Sequence, residues 1–546
     1  MNFKTLLGLG LLGACTSKLP APPTGGPDDS GELADTDAID SGADTGLAGD
    51  DSGSADTAGA DTVDTVDTVD TVDTVDTSSD SGASTAPDCS DTGGAVPSES
   101  YGGAAGIPDA AAWYRGEEGN RLGYALDYIG DLDGDGSPDI IAGAPGAANG
   151  TAYLLYGGAF AADGRGIDAA DAVLQDDEEG LFGSAVAGVG DLDGDGYDDL
   201  AVSATGAELV GFVYLWRGAA ERLAGELAVS SADIVIEGTA PYERFGYGLS
   251  AGDIDGDGRS DLLLALCGPE AEGENTYPGG VYLMQSPEVA SLTIDDADAY
   301  IEPGDAADRM TAMDVVGDVD GDGLDDVVIG ARGDDYAADD AGAAYLILGA
   351  SLGVGGTIAS GDADAVYRGE VAGDGAGVIV SGVGDVSGDG RADLLIGAPY
   401  YGTGLVARGA AYLTTDLGEP GEHSLSDAAA SFLGTSDSDK LGTSVEGAGD
   451  VNGDCVEDVL ISAHDEDSGA NQAGAVYLFL GPVSGAVELS TAAATLYGDS
   501  EWQWFGWTMV GGEDVNADGY DDFLIGTHGD SSAGEDAGAI FLFPGG

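Results

Sequence analysis

Seven times between Asp131 and Asp522 the chain writes a nine-residue acidic loop and follows it with a short apolar run. The loops read DLDGDGSPD, DLDGDGYDD, DIDGDGRSD, DVDGDGLDD, DVSGDGRAD, DVNGDCVED and DVNADGYDD, and their starts lie 60 to 67 residues apart. A period of that length makes each unit one supersecondary module that cannot bury its own apolar face. Several units must therefore stack or close before a core exists.

Within each loop, positions 1, 3, 5 and 9 carry side-chain oxygens. In the first four loops these are all carboxylates: Asp131, Asp133, Asp135 and Asp139; Asp191, Asp193, Asp195 and Asp199; Asp253, Asp255, Asp257 and Asp261; Asp318, Asp320, Asp322 and Asp326. The last three loops depart from this set, with Asp385, Ser387, Asp389 and Asp393; Asp450, Asn452, Asp454 and Asp458; and Asp514, Asn516, Asp518 and Asp522. Hard oxygen donors without histidine or cysteine select calcium over magnesium or transition metals, and up to seven ions are expected. The backbone carbonyl at position 7 (Ser137, Tyr197, Arg259, Leu324, Arg391, Val456 and Tyr520) would complete each shell. Without an ion, four carboxylates would crowd together uncompensated. An EF-hand is ruled out, because position 12 of the first loop is Ala142 and a strand-like run follows where a helix should.

The apolar runs after the loops, such as DIIAGAP and DLLIGAP, do not alternate, which suits strands covered on both faces. A glycine-led strand follows each, another precedes each loop, and a fourth (DAVYRG, ATLYGD) lies between units. Four short strands repeated seven times predict an all-β fold, a seven-bladed β-propeller with four-stranded blades. The last unit stops after its third strand, GAIFLFPGG, and the fourth is expected from AAWYRGEEG, Ala111 to Gly119, closing the ring and removing an open edge.

Loop plus strand, with LG or FG upstream (Leu122-Gly123, Phe182-Gly183, Phe505-Gly506) and GAP downstream (Gly143 to Pro145, Gly397 to Pro399), resembles the FG-GAP repeat of integrin α-subunit propellers and their bacterial relatives. The resemblance covers roughly Ala111 to Gly546. It implies calcium on one face and ligand binding on the opposite one. The chain departs from integrins in carrying the loop in all seven units and in lacking leg domains and a membrane-spanning helix.

The first residues, MNFKTLLGLGLLGACTS, resemble a bacterial lipoprotein signal. Cleavage before Cys15 and its acylation would leave a lipid anchor, with 1–14 removed. Residues 15–98 are rich in Asp, Thr, Ser and Gly, include DTVDTVDTVDTVDTVDT, and read as a disordered acidic tether; 99–546 form the propeller. The formal charge of −87, from 102 acidic and 15 basic residues, exceeds anything seven divalent ions could neutralise. Nucleic acid and anionic membrane surfaces, which require basic patches, are excluded as partners.

Cys267 and Cys455 read as poor disulfide partners for one another, on opposite faces of different blades, and Cys89 in the tether could reach either. His464 and His528 occupy equivalent positions in adjacent units, near Asp465 and Asp467, and read as the openings of surface turns more readily than as a second metal site or a base. Arg332-Gly333-Asp334 spells the tripeptide that integrins recognise, a coincidence expected of a chain this rich in Gly and Asp. The cluster WQWFGW, Trp502 to Trp507, is expected to pack between blades rather than to stack a sugar. The residues expected on a ligand face are Tyr277, Arg332, Tyr336, Tyr400, Tyr401, His464 and His528.

Together these features predict a monomeric, calcium-binding cell-envelope lipoprotein, anchored at the outer membrane or cell surface. Its propeller would serve as an adhesion or recognition module for a surface protein or polysaccharide, without catalytic residues. The alternatives are an enzyme, since related calcium propellers occur in polysaccharide lyases and attached to lipases, and a structural envelope component.

Overall fold

A computed structural model describes residues 103–106 and 110–546, apart from 148, 159–163, 177–179, 207–209, 241–242, 269–277, 288, 306, 354, 404–405 and 416. The signal and tether expectations, including Cys15 and Cys89, lie outside the described residues, as does Tyr277.

The chain forms seven five-stranded sheets, the blades of a β-propeller. In the first blade the inner strand Ala125–Gly130 runs into the acidic loop, and Asp139–Ala144 returns from it. Thr151–Leu155 and Ala172–Gln175 then complete an antiparallel meander. The second strand of that blade is buried at every residue, as its unbroken apolar run requires.

Each blade carries one strand more than expected. Gly225–Ala228, from the second blade's connection between its third and fourth strands, pairs in parallel with Ala172–Gln175 at the outer edge of the first. The same excursion recurs from blade to blade, for example Gly421–Ser424 on Ala365–Arg368 and Gly485–Val487 on Ala430–Leu433. These added strands are short and largely exposed, so they carry no apolar signature to read.

At the seventh sheet the outer antiparallel strand is Ala112–Arg115, paired with Ala539–Phe543 in the register Ala112↔Leu542 and Arg115↔Ala539. Gly103–Gly106 supplies the fifth strand of the sixth blade, in parallel with Ala494–Tyr497.

The core is distributed between blades. One cluster joins Ala112, Tyr114, Ile540 and Leu542 of the seventh sheet to Ile140, Tyr153 and Leu155 of the first. Six others span the successive neighbouring pairs. Wedged at the seams are Leu122, Phe182, Phe245, Met310, Leu441 and Phe505, all fully buried, with Ala376 at the same place. Burying a side chain such as Phe505 contributes about 2–3 kcal/mol. The main chain of each wedge comes against a glycine of the preceding blade: a Cβ on Gly150 would lie 2.2 Å from the Phe182 carbonyl oxygen.

Candidate metal loops and channel mouth

The seven acidic loops all connect a first strand to a second, so they share one face of the propeller. In the first loop, Asp131 Oδ1 accepts from the N–H groups of Gly134 (2.7 Å) and Asp135 (2.9 Å), and its Oδ2 accepts from Gly136 (2.9 Å). Asp133 Oδ1 accepts from Asp135 N–H at 3.0 Å. This coiling needs positive φ, which Gly134 and Gly136 adopt at 76° and 85°. Where glycine is replaced, Cys455 and Ala517 take the same region at 64° and 59°.

Position 7 is hooked identically throughout: its N–H donates to the position 5 carboxylate, from Ser137 to Asp135 at 3.0 Å through Tyr520 to Asp518 at 3.2 Å. Position 9 ties the loop to the sheet. Asp139, fully buried, accepts from Leu132 N–H (3.1 Å) at the loop start and Gly157 N–H (2.8 Å) beyond the third strand. Burial, reinforced by neighbouring carboxylates, pushes the position 9 carboxyls up, Asp139 and Asp199 to about 7 and Asp261 and Asp326 to about 6. A divalent cation among these oxygens would reverse that penalty.

The donor chemistry and geometry fit such an ion in the first four loops. Three carboxylates approach within 4.8 Å of one another in each: Asp131, Asp133 and Asp139; Asp191, Asp193 and Asp195; Asp253, Asp255 and Asp261; Asp318, Asp320 and Asp326. Asp135, Asp199, Asp257 and Asp322 lie outside these tight groups. Among the described residues the last three loops gather no such trio. There Ser387 Oγ lies 3.4 Å from Asp385 Oδ1, and the amides of Asn452 and Asn516 donate to both oxygens of Asp458 and Asp522.

Sequence reading missed the aspartates at position 8. Asp198, Asp325 and Asp521 each cap the first residue of a neighbouring loop, accepting from Asp131, Asp253 and Asp450 N–H at 2.7, 2.8 and 2.7 Å. The doubled DD ending of those three loops was the available signal. It also missed Asp127, Asp314 and Glu446, each four residues before the first aspartate of its loop. Asp127 and Asp314 accept from main-chain N–H groups of the following blade, Gly188 and Gly382, while Glu446 accepts from Ser381 of the preceding one. Burial raises all three, Asp127 to about 7 and Asp314 to about 6, with mutual repulsion adding to Asp127 and Glu446.

Opposite the metal loops, the starts of the inner strands frame a cavity of about 250 Å³ lined by Tyr124, Tyr247, Arg332, Trp507, Ser184 and Glu446 among others. Of the expected ligand-face residues, Arg332 lies here. Tyr336 is 72% exposed, with the Arg368 guanidinium 4.0 Å over its ring. Tyr400 is half-buried, and Tyr401 packs on the core between the fourth and fifth blades.

His464 and His528 are corrected: neither opens an exposed turn. His528 stacks on Trp504 (5.0 Å) and meets Trp507 edge-on (4.3 Å), while His464 meets Trp507 at 5.7 Å. Both rings are buried, which lowers them to about 3 and about 4, so both are neutral. Asp465 lies between Lys440 (2.7 Å) and His464 Nε2 (3.4 Å), and no metal-binding trio forms at this place among the described residues. The aromatic cluster divides: Phe505, Trp504 and Trp507 are buried, and Trp502 is 39% exposed.

The Arg332-Gly333-Asp334 tripeptide is not displayed. Asp334 is buried, paired with Arg368 at 2.9 Å and accepting from Tyr345 Oη at 2.5 Å. Cys267 and Cys455 are both disulfide-bonded.

The FG-GAP repeat family model matches residues 128–155, 182–216, 376–413, 441–479 and 505–543, in the first, second, fifth, sixth and seventh blades. Phosphatidylinositol-glycan-specific phospholipase D of Rattus norvegicus is 35% identical over 197 residues, 33% of this chain and 22% of the relative. Integrin alpha-PS5 of Drosophila melanogaster is 32% identical over 208 residues, 36% of this chain and 20% of the relative. Integrin alpha-IIb of Mus musculus is 33% identical over 155 residues, 27% of this chain and 14% of the relative. The matched stretch thus spans about a fifth of the length of these relatives or less. The chain carries FG-GAP repeats in five blades of a seven-bladed β-propeller, and about a third of its length is similar to integrin α chains.

Proposed function

We propose that this propeller is a calcium-stabilised recognition module that presents the channel mouth and its surrounding loops to a surface protein or polysaccharide. The observation that carries this reading is the separation of duties between faces. Carboxylates, with their repeated backbone hooks, gather at one end of the inner strands, and Tyr124, Tyr247, Trp507 and Arg332 frame a cavity at the other. Aromatic rings beside a few polar groups suit partners that are part apolar and part hydrogen-bonding. Calcium would be held by the oxygens of the first four loops, supplying the positive charge that lets buried Asp139 and its equivalents stay ionised.

Homology to integrin α chains supports adhesion or recognition, and the homologues' surface location supports an extracytoplasmic one. No helix of the described residues is long and apolar enough to cross a membrane. Acylation at Cys15 would provide the attachment, with 15–98 as tether and the propeller monomeric. The similarity to phospholipase D supports a second reading, in which the propeller accompanies or performs hydrolysis. Against it, His464 and His528 are buried and neutral, packed around Trp507 rather than poised at the cavity. The test is a glycan and surface-protein binding array probed with the intact chain, with and without calcium, beside a phospholipase assay. Calcium-dependent capture lost in Trp507→Ala or Arg332→Ala supports recognition, whereas hydrolysis without capture refutes it.

A further inference from the structure

The first acidic loop differs from the rest in what reaches it. Arg222 lies on the excursion from the second blade that leads into the added strand Gly225–Ala228. That excursion is pinned across the first blade at three points. Ala219 N–H donates to Leu132 O at 2.9 Å, Tyr156 Oη donates to Leu223 O at 3.3 Å, and Gly225 N–H donates to Asp171 O at 3.1 Å. Between these anchors the guanidinium lies 4.5 Å over the Tyr156 ring. Its Nε contacts Asp133 Oδ2 and its Nη2 donates to Asp135 Oδ2 at 2.6 Å.

Those two oxygens are the ones of Asp133 and Asp135 that accept no main-chain N–H. Asp133 Oδ1 and Asp135 Oδ1 are already occupied by the N–H groups of Asp135 and Ser137, both at 3.0 Å. That leaves Oδ2 of each as the free donor, and Arg222 holds both. No other loop is held this way among the described residues. Arg217 reaches one carboxylate of the second loop, Asp193 at 3.0 Å. Arg259 turns back on Asp257 within the third loop. The fourth loop, whose trio is Asp318, Asp320 and Asp326, forms no ion pair among the described residues.

We propose that Arg222 is an internal cation that competes with calcium for the first loop. The loop thereby becomes the weakest of the four carboxylate-rich sites, and its loading is coupled to release of the second blade's clasp over the first. The inference rests on the calcium reading of these loops. A ligand that must first displace an internal group binds with its intrinsic affinity reduced by the fraction of molecules in which the site is open. For contacts made by a half-exposed arginine, whose net strength is modest, that corresponds to roughly a threefold to tenfold loss.

Hydrogen exchange followed by mass spectrometry during a calcium titration reads each loop separately through its own peptide. In the intact chain, the protection midpoint of 131–139 is expected roughly threefold to tenfold above that of 318–326. Arg222→Gln should bring the first midpoint down to the fourth while leaving the fourth unmoved, and Arg222→Lys should fall between. A first-loop midpoint that Arg222→Gln does not move overturns the competition. If the first loop gains no protection in either protein while the fourth does, the competition and calcium at that loop both fail. If no loop responds, it is the calcium reading as a whole that fails.

Discussion

Gly538 lies against the backbone of Leu122, so closely that a Cβ there would come 2.2 Å from the Leu122 carbonyl oxygen and 2.3 Å from its nitrogen. The contact joins the third strand of the seventh blade to the wedge residue before the first, and Leu122 N–H donates to Ala537 O at 3.1 Å beside it. Because both colliding atoms are main chain, neither can swing away. Gly538→Ala is expected to cost about 2–4 kcal/mol. Gly225→Ala, with a similar φ of 73° and nothing within 4 Å, should cost only about 1 kcal/mol. Urea unfolding of the two variants checks the difference, and equal losses would show that φ alone matters.

Removing Ala111 to Gly119 takes away the outer strand that pairs with Ala539–Phe543 and exposes that edge. Unpaired edges recruit other chains. The truncated protein is expected to aggregate or melt at a markedly lower temperature, as read by light scattering and calorimetry. A monomer with an unchanged melt would mean that this pairing is dispensable.

How much was legible beforehand follows from what repeats. The nine-residue loop and the apolar strand after it recur with little variation, so blade number and the candidate metal residues could be read from the chain. The added fifth strands could not, because Gly225–Ala228 and its equivalents are short, largely exposed and held mainly by parallel backbone pairing, with isolated side-chain contacts such as Leu227 or Val487 on the core. His464 and His528 were placed correctly at the end of the second strand. Burial of His464 depends on Trp507 arriving from the next unit, and that of His528 on Tyr124 from the first, contacts between blades that no local pattern encodes. Asp127, Asp314 and Glu446 shared a register with the loops, but the signal appears in only three units of seven.

Asp334 anchors its loop through Arg368 and Tyr345. Asp334→Ala would leave a buried guanidinium and a phenol without their partner, at an expected cost of about 2–4 kcal/mol by chemical denaturation. Integrin binding in a solid-phase assay should be absent before and after the substitution. Adhesion lost in the variant at unchanged stability would contradict the buried, structural role.

The channel carboxyl of Asp127 is raised to about 7, chiefly by burial, with Asp314 and Glu513 adding repulsion. Folding therefore favours its protonated form. That contribution is complete below the ordinary carboxylate range near 4 and is lost as pH rises through about 7. Asp127→Asn, which keeps an oxygen for Gly188 N–H, should raise stability at pH 8 by roughly 1–2 kcal/mol and change little at pH 4. Parallel melts at fixed calcium read the difference. An unstable variant at pH 8 would mean that the charged form is needed.

The central claim is that divalent cations in the acidic loops hold the blades together. Ligand binding to the folded state alone adds about 2.7 kcal/mol per site at a hundredfold excess over Kd. The direct measurement is a calorimetric melt of the intact chain in calcium and then in EDTA. A melting temperature many degrees higher with calcium, restored when calcium is returned, is the predicted result. The same temperature in both solutions would contradict the account.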